Sequence, residues 1–145
     1  MNECEKDTVT LVGIIPELMA KGYSCAEAVG TVLIQEVLQH KEIPVRPLMR
    51  PFRGGVAGSH EELCGALSGA LAALGLAAGS ETDPVEAARY YSAQLRNRFL
   101  ERWGTTRCGE LIAGLSDEER PLFCRNLCRE TALIAWELLE QGVPS

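Results

Sequence analysis

An all-α fold, a compact bundle of five or six helices with one long Pro/Gly-rich loop after the second helix, is predicted by three features of this 145-residue chain. Ser or Asp recurs three residues ahead of Glu, the spacing at which a side-chain oxygen and a carboxylate satisfy the free amides of a helix's first turn. Apolar stretches of helical length follow these starts and end at glycine. Only 6% of residues are aromatic, and no segment alternates apolar and polar residues with Val, Ile and Thr enrichment, which argues against a β fold.

Taken in order, Thr8 to Ala20 reads as a helix that Gly22 ends, with Pro16 imposing a kink or a later start. Ser24-Cys25-Ala26-Glu27 has the capping-box form and opens a helix running to about His40. From Lys41 to Gly58 the chain carries Pro44, Pro47, Pro51, Gly54, Gly55 and Gly58, which deny regular helix and predict a crossing loop of a length that is usually functional. Ser59-His60-Glu61-Glu62 repeats the capping spacing and opens Leu63 to Leu76. The Gly65, Gly69, Ala72, Ala73 and Gly75 of that helix predict close packing, within the monomer or across a homodimer. Asp83-Pro84-Val85-Glu86 sets a capping residue before a proline at the first helical position, so a helix spans Pro84 to about Trp103 and Gly104 ends it. Thr105 or Thr106 caps a short helix from Arg107 to Ala113, closed by Gly114. Ser116 and Asp117 lead into a last helix near Leu122 to Gln141. No repeat or boundary divides the chain, so residues 1–145 read as one domain.

Composition narrows the function. Fourteen Lys and Arg against 20 Asp and Glu give a net charge of −6, and the arginines are scattered from Arg46 to Arg129, so nucleic acid is not an expected partner. No apolar run reaches the roughly 20 residues that span a bilayer, and Met1 to Asp7 lacks the positive region of a signal peptide. A cytoplasmic protein without a membrane segment is the expectation. The motifs G-x-G-x-x-G, P-loop, C-x-x-C and C-x-x-C-H do not occur, and the two histidines support no catalytic triad. The carboxylate pairs at helix starts read as solvated partners of the helix dipole.

The six cysteines, Cys4, Cys25, Cys64, Cys108, Cys124 and Cys128, are then the most informative residues. A domain of this size builds a core without staples, and in a reducing compartment thiols are buried, ligating or reactive. Taken singly, each is more often a small core residue than a chemical group. The set argues otherwise. Cys25 and Cys108 fall in the first turns of capped helices, where free amides and the helix dipole stabilise a thiolate. Cys64 lies about a turn into its helix beside Gly65, which leaves room for another backbone or a cluster. Cys124 and Cys128, four apart, face the same way. His60 reads as a surface residue of a capping turn, and His40 as a polar residue at a helix end.

Gly22-Tyr23-Ser24-Cys25-Ala26-Glu27-Ala28-Val29, Phe52-Arg53-Gly54-Gly55, Cys64-Gly65-Ala66-Leu67-Ser68-Gly69-Ala70-Leu71 and Cys108-Gly109-Glu110-Leu111 together resemble the C-GCAxxG-C-C family, whose name carries a redox activity. The likeness spans nearly the whole chain, and its central Cys-Gly-Ala-x-x-Gly block after a Gly-Gly loop is specific. It departs at Leu63, where the family's title motif writes Gly before the central cysteine, and in the additional Cys124. The resemblance places the family's cysteines on Cys25, Cys64, Cys108 and Cys128, as catalytic thiols or metal ligands, with Gly54, Gly55 and Gly65 lining a cofactor. It implies a redox-active protein whose clustered cysteines transfer electrons through an iron–sulfur cluster or another metal, or exchange reversibly between thiol and disulfide. A redox partner protein would supply the electrons, since no nicotinamide or flavin motif is present. The alternative is a non-catalytic helical interaction module with structural cysteines or a structural zinc.

Overall fold

In the computed structural model, residues 3–144 are described, with side chains from residue 8, and no β-strand occurs among them. One isolated antiparallel bridge joins Leu63 to Arg107. The first helical stretch divides into α1 (Glu3–Val12) and α2 (Ile14–Ala20), separated at Gly13. Pro16 falls in the first turn of α2, where its missing N–H is not needed, so it shapes a start rather than an interior kink. Gly22, at φ +101°, reverses the chain after α2.

The capping box at Ser24 forms. Its hydroxyl oxygen accepts from the Glu27 backbone N–H at 3.2 Å, and its O–H donates to Glu27 Oε1 at 3.0 Å. α3 (Cys25–Gly30) runs on into a π-helical stretch, Thr31–Val37. The next segment corrects the expectation that its prolines exclude helix. α4 (Val45–Met49) is a single helical turn followed by a 3₁₀ turn, Arg50–Phe52. Pro44 precedes α4, Pro47 sits in its first turn and Pro51 lies at the start of the 3₁₀ turn, positions where no hydrogen bond is lost.

A second correction concerns Ser59 to Glu62. These residues do not open a helix. Gly54, Gly55, Val56, Ala57 and Gly58 all have positive φ, a left-handed turn, and His60 follows at φ +61°. The amides here are satisfied elsewhere, His60 N–H by Gly54 O at 2.8 Å and Glu62 N–H by Gly55 O at 3.2 Å, so the hydroxyl of Ser59 caps only the amide of Glu61. The helix, α5 (Gly65–Ala78), begins after Cys64.

α6 (Pro84–Trp103) matches its predicted bounds, capped by Asp83 and ended by left-handed Gly104. α7 (Cys108–Leu111) is shorter than the Arg107–Ala113 expected, and neither threonine is its N-cap residue. The Thr105 hydroxyl oxygen instead accepts from Arg107 N–H at 3.2 Å, one residue ahead of the helix. α8 (Glu119–Gln141) starts three residues before Leu122, because Ser116 and Glu119 bond each other's amides reciprocally at 3.1 Å.

α5 is the hub, packing on α3, α6 and α8. It is apolar on nearly every side, as a core helix should be. Leu67 and Leu74 of α5, Leu95 and Phe99 of α6, Val29 of α3 and Ala132 of α8 are all buried in one cluster. The small face lies against α3 inside the monomer. A Cβ on Gly69 would stand 2.8 Å from Ala26 O and from Gly30 N. No helix among the described residues is long and apolar enough to cross a membrane.

Candidate functional site

Helix starts and the left-handed turn bring the cysteines to one end of the α3–α5 contact. Cys25 is the first residue of α3, Cys64 the residue before α5, and Cys108 the first residue of α7. The backbone ties these starts together: Cys64 N–H donates to Thr106 O at 2.8 Å, and Cys108 N–H donates to Glu62 O at 2.9 Å. From the other side, α8 presents Cys124 and Cys128 one turn apart. Cys25, Cys64, Cys108 and Cys124 line a common cavity of about 30 Å³, closed by apolar Phe123 and Leu127. Cys124 and Cys128 both lie close enough to Cys25 to alter its ionisation. All five are free thiols. The side chain of Cys4 lies outside the described residues.

Two features of this cluster were missed in the sequence. Cys124 belongs to it and lines the cavity, whereas Cys128 is fully buried behind. The four-residue spacing of the pair was the available signal. His60 Nδ1 stands 3.3 Å from Cys108 Sγ. That pairing spans 48 positions and rests on the left-handed turn, so no helical spacing could reveal it. His60 shares no helix face with Cys64, and Cys64 sits just outside its helix rather than a turn into it.

The expectation of stabilised thiolates at Cys25 and Cys108 is overturned. At Cys25 the hydrogen bond with Cys124 favours ionisation, but the bond with Cys128, burial and the charges of neighbouring sulfurs outweigh it and push the thiol well above its ordinary range. Burial, then the nearby Cys124, raises Cys108 against the opposing pull of Arg120. Burial pushes Cys64 up to about 12, and the hydrogen bond with Cys25 together with burial raises Cys124. Burial also raises Cys128, against the bond with Cys25. A helix start contributes a fraction of a charge, and it loses to desolvation and to sulfurs competing for one region.

Of the three glycines assigned to a cofactor, Gly55 and Gly65 let backbone approach a cysteine closely. A Cβ on Gly55, itself at φ +68°, would lie 2.7 Å from Cys108 Cβ, and one on Gly65 would lie 3.0 Å from Cys25 Cβ. Gly54 lines the cavity. Thiol donors suit iron or zinc. Their arrangement does not: among the described residues, no three His, Cys, Asp or Glu side chains are grouped so that they could hold a metal ion. The cavity has room for about one water, far less than irons with bridging sulfides occupy.

Next to Cys25 the Glu27 carboxylate is buried and receives Arg46 Nε at 2.6 Å, while Arg46 also lies 3.9 Å over the Tyr23 ring. Burial pushes this carboxyl up, and hydrogen bonds from Arg46 and Ser24 outweigh it, so its pKa lies below the usual carboxylate range. A cleft of about 440 Å³ lies between α6 and α8 and contains no cysteine. Its charges pair with each other, Arg98 with Glu137 and Arg102 with Glu130.

Compared with known proteins, residues 23–138 match a family model described as "Putative redox-active protein (C_GCAxxG_C_C)". No curated protein and no solved structure matches the chain. The matched span takes in the five clustered cysteines and leaves Cys4 outside.

Proposed function

Because the chain belongs to the C_GCAxxG_C_C family, described as redox-active, we propose that residues 1–145 act as one thiol/disulfide redox domain in which Cys25 and Cys124 form the exchanging pair. The observation that carries this reading is that Cys25, at the start of α3, and Cys124, on α8, line one small cavity. A disulfide needs Cβ atoms roughly 3.5–4.5 Å apart, a separation the backbone of α3 and α8 sets, while side-chain rotation only swings the two sulfurs toward each other. Cys64 and Cys108 share the cavity as further thiols, and Cys128 backs the pair from the core.

The step is an exchange with an external disulfide. One thiol loses its proton and attacks, a sulfur–sulfur bond of the substrate breaks, and the departing thiolate takes up that proton. The second thiol then displaces the remaining half, leaving the protein disulfide and two reduced thiols. In reverse, the protein disulfide oxidises an incoming dithiol. Electrons reach the pair from a redox partner, since no nicotinamide or flavin motif is present. A cytoplasmic setting suits free thiols.

Anaerobic purification with thiol titration, before and after treatment with hydroxyethyl disulfide, tests the reading. Loss of two thiols, a mapped Cys25–Cys124 bond and their return on mild reduction are expected. Iron with stoichiometric sulfide in the fresh protein, or thiols that stay unreactive while the fold is intact, would overturn it and favour the cluster or the inert interaction module.

A further inference from the structure

Cys25 faces two spaces. One is the inner cavity shared with Cys64, Cys108 and Cys124; the other is an outward cleft of about 250 Å³. Tyr23, Arg53, Gly54 and Arg125 line that outer cleft, and no carboxylate does. The chain as a whole carries −6. Two guanidinium groups thus stand beside Cys25 in a cleft whose lining holds no negative charge.

Arg53 is only loosely engaged inside the protein, and Arg125 less so. Arg53 is 59% exposed and reaches Glu27 Oε1 only at 3.7 Å, whereas Arg46 already holds the other oxygen of that carboxylate at 2.6 Å. Arg125 makes no ion pair with a described residue. Arg120, by contrast, stands 3.8 Å from Asp117. Uncommitted arginines are suited to carboxylates, which they grip bidentately. The cleft volume fits a small molecule rather than a folded partner's surface.

We infer that the outer cleft is a substrate site for a low-molecular-weight disulfide bearing carboxylates, held by Arg53 and Arg125 with its sulfurs over Cys25. The inference rests on the thiol-exchange reading above and names its substrate class. With RSSR as oxidant, Cys25 attacks one sulfur to give a Cys25–S–S–R mixed disulfide and RS⁻, which takes the proton Cys25 lost. Cys124 then attacks the Cys25 sulfur, releasing a second RS⁻ that takes the Cys124 proton. Two thiols and one disulfide become one disulfide and two thiols.

Three aliphatic disulfides of similar size test this: dithiodipropionate (anionic), hydroxyethyl disulfide (neutral) and cystamine (cationic). Net charge alone favours cystamine. The inference expects the reduced protein to consume dithiodipropionate about tenfold faster than the neutral probe at low ionic strength, the advantage shrinking in 0.5 M salt. Arg53→Gln with Arg125→Gln should bring that ratio to one or below, and Arg53→Lys with Arg125→Lys should keep most of it. A trapped adduct in Cys124→Ser should map to Cys25. An anion advantage that is absent in the wild type, survives the double Gln variant, or arises from an adduct on Cys108 overturns the site but leaves thiol exchange standing. If none of the three probes oxidises the protein, thiol exchange fails and the site fails with it.

Discussion

His60 and Cys108 show how little the neighbouring sequence says about a side chain's chemistry. One was read as a surface residue of a capping turn and the other as a dipole-stabilised thiolate, yet they stand 3.3 Å apart. Cys108 is raised by burial and by Cys124, so a polar ring beside it bears on its reactivity. His60→Ala should therefore slow iodoacetamide alkylation of Cys108 at pH 7. The difference should vanish near pH 10, where hydroxide removes the proton; equal rates at pH 7 would show that the contact is incidental. The Cys25 and Cys124 thiols are also pushed upward, so the reduced pair keeps both protons beyond the ordinary thiol value of about 8.5. A two-electron couple that takes up two protons falls by about 59 mV per pH unit. That slope should persist through pH 9 in a redox titration, where an ordinary pair would already flatten. The position of Cys25 at a helix start was legible because a cap is decided within four residues. Its ionisation was not, because desolvation is set by α8 and the left-handed turn, which are remote in sequence.

Within α5 the same substitution should have opposite signs at two glycines. A Cβ on Gly69 meets backbone of α3 at 2.8 Å, which cannot rotate away, whereas nothing lies within 4 Å of one on Gly75. Gly69→Ala should cost roughly 1–3 kcal/mol by forcing α3 and α5 apart. Gly75→Ala should add about 0.5–1 kcal/mol, because a helix interior disfavours glycine. Urea denaturation of the reduced proteins measures both; like signs would mean that α3 and α5 are not held at that distance. That α5 packs closely was readable from its small residues, but which glycine bears the contact depends on where α3 lies. The start of α5 was misplaced for a related reason. Ser59 to Glu62 carries a capping pattern, yet Gly54 to Gly58 wind left-handed and supply acceptors to His60 and Glu62, so the Glu62 amide that a capping box would use is already taken. Val56 and Ala57 in that turn hold a conformation that costs an L residue roughly 1–2 kcal/mol, and the turn seats Gly55 against Cys108.

Across the molecule, acid should act through Glu27, which joins α3 to α4 by its bond with Arg46. Its folded carboxyl lies below the ordinary value of about 4.3, so as pH falls the unfolded chain takes the proton first. The contribution is complete above about pH 4.3 and is lost as pH drops through the folded value. Urea midpoints between pH 6 and pH 3 should fall more steeply for the wild type than for Glu27→Gln, and parallel curves would remove Glu27 from the acid response. The sequence by itself determined what lies within a turn or two of chain: the helical class, the cap at Ser24, the bounds of α6, and the presence of a cysteine set with family spacing. Tertiary structure alone decided that Cys124 joins Cys25, that His60 meets Cys108, that the thiols are raised rather than lowered, and that two arginines open beside Cys25. The physical reason is range. Capping and helix-dipole effects decay within one turn, whereas burial and charge act between surfaces that meet only when α3, α5 and α8 close on one another.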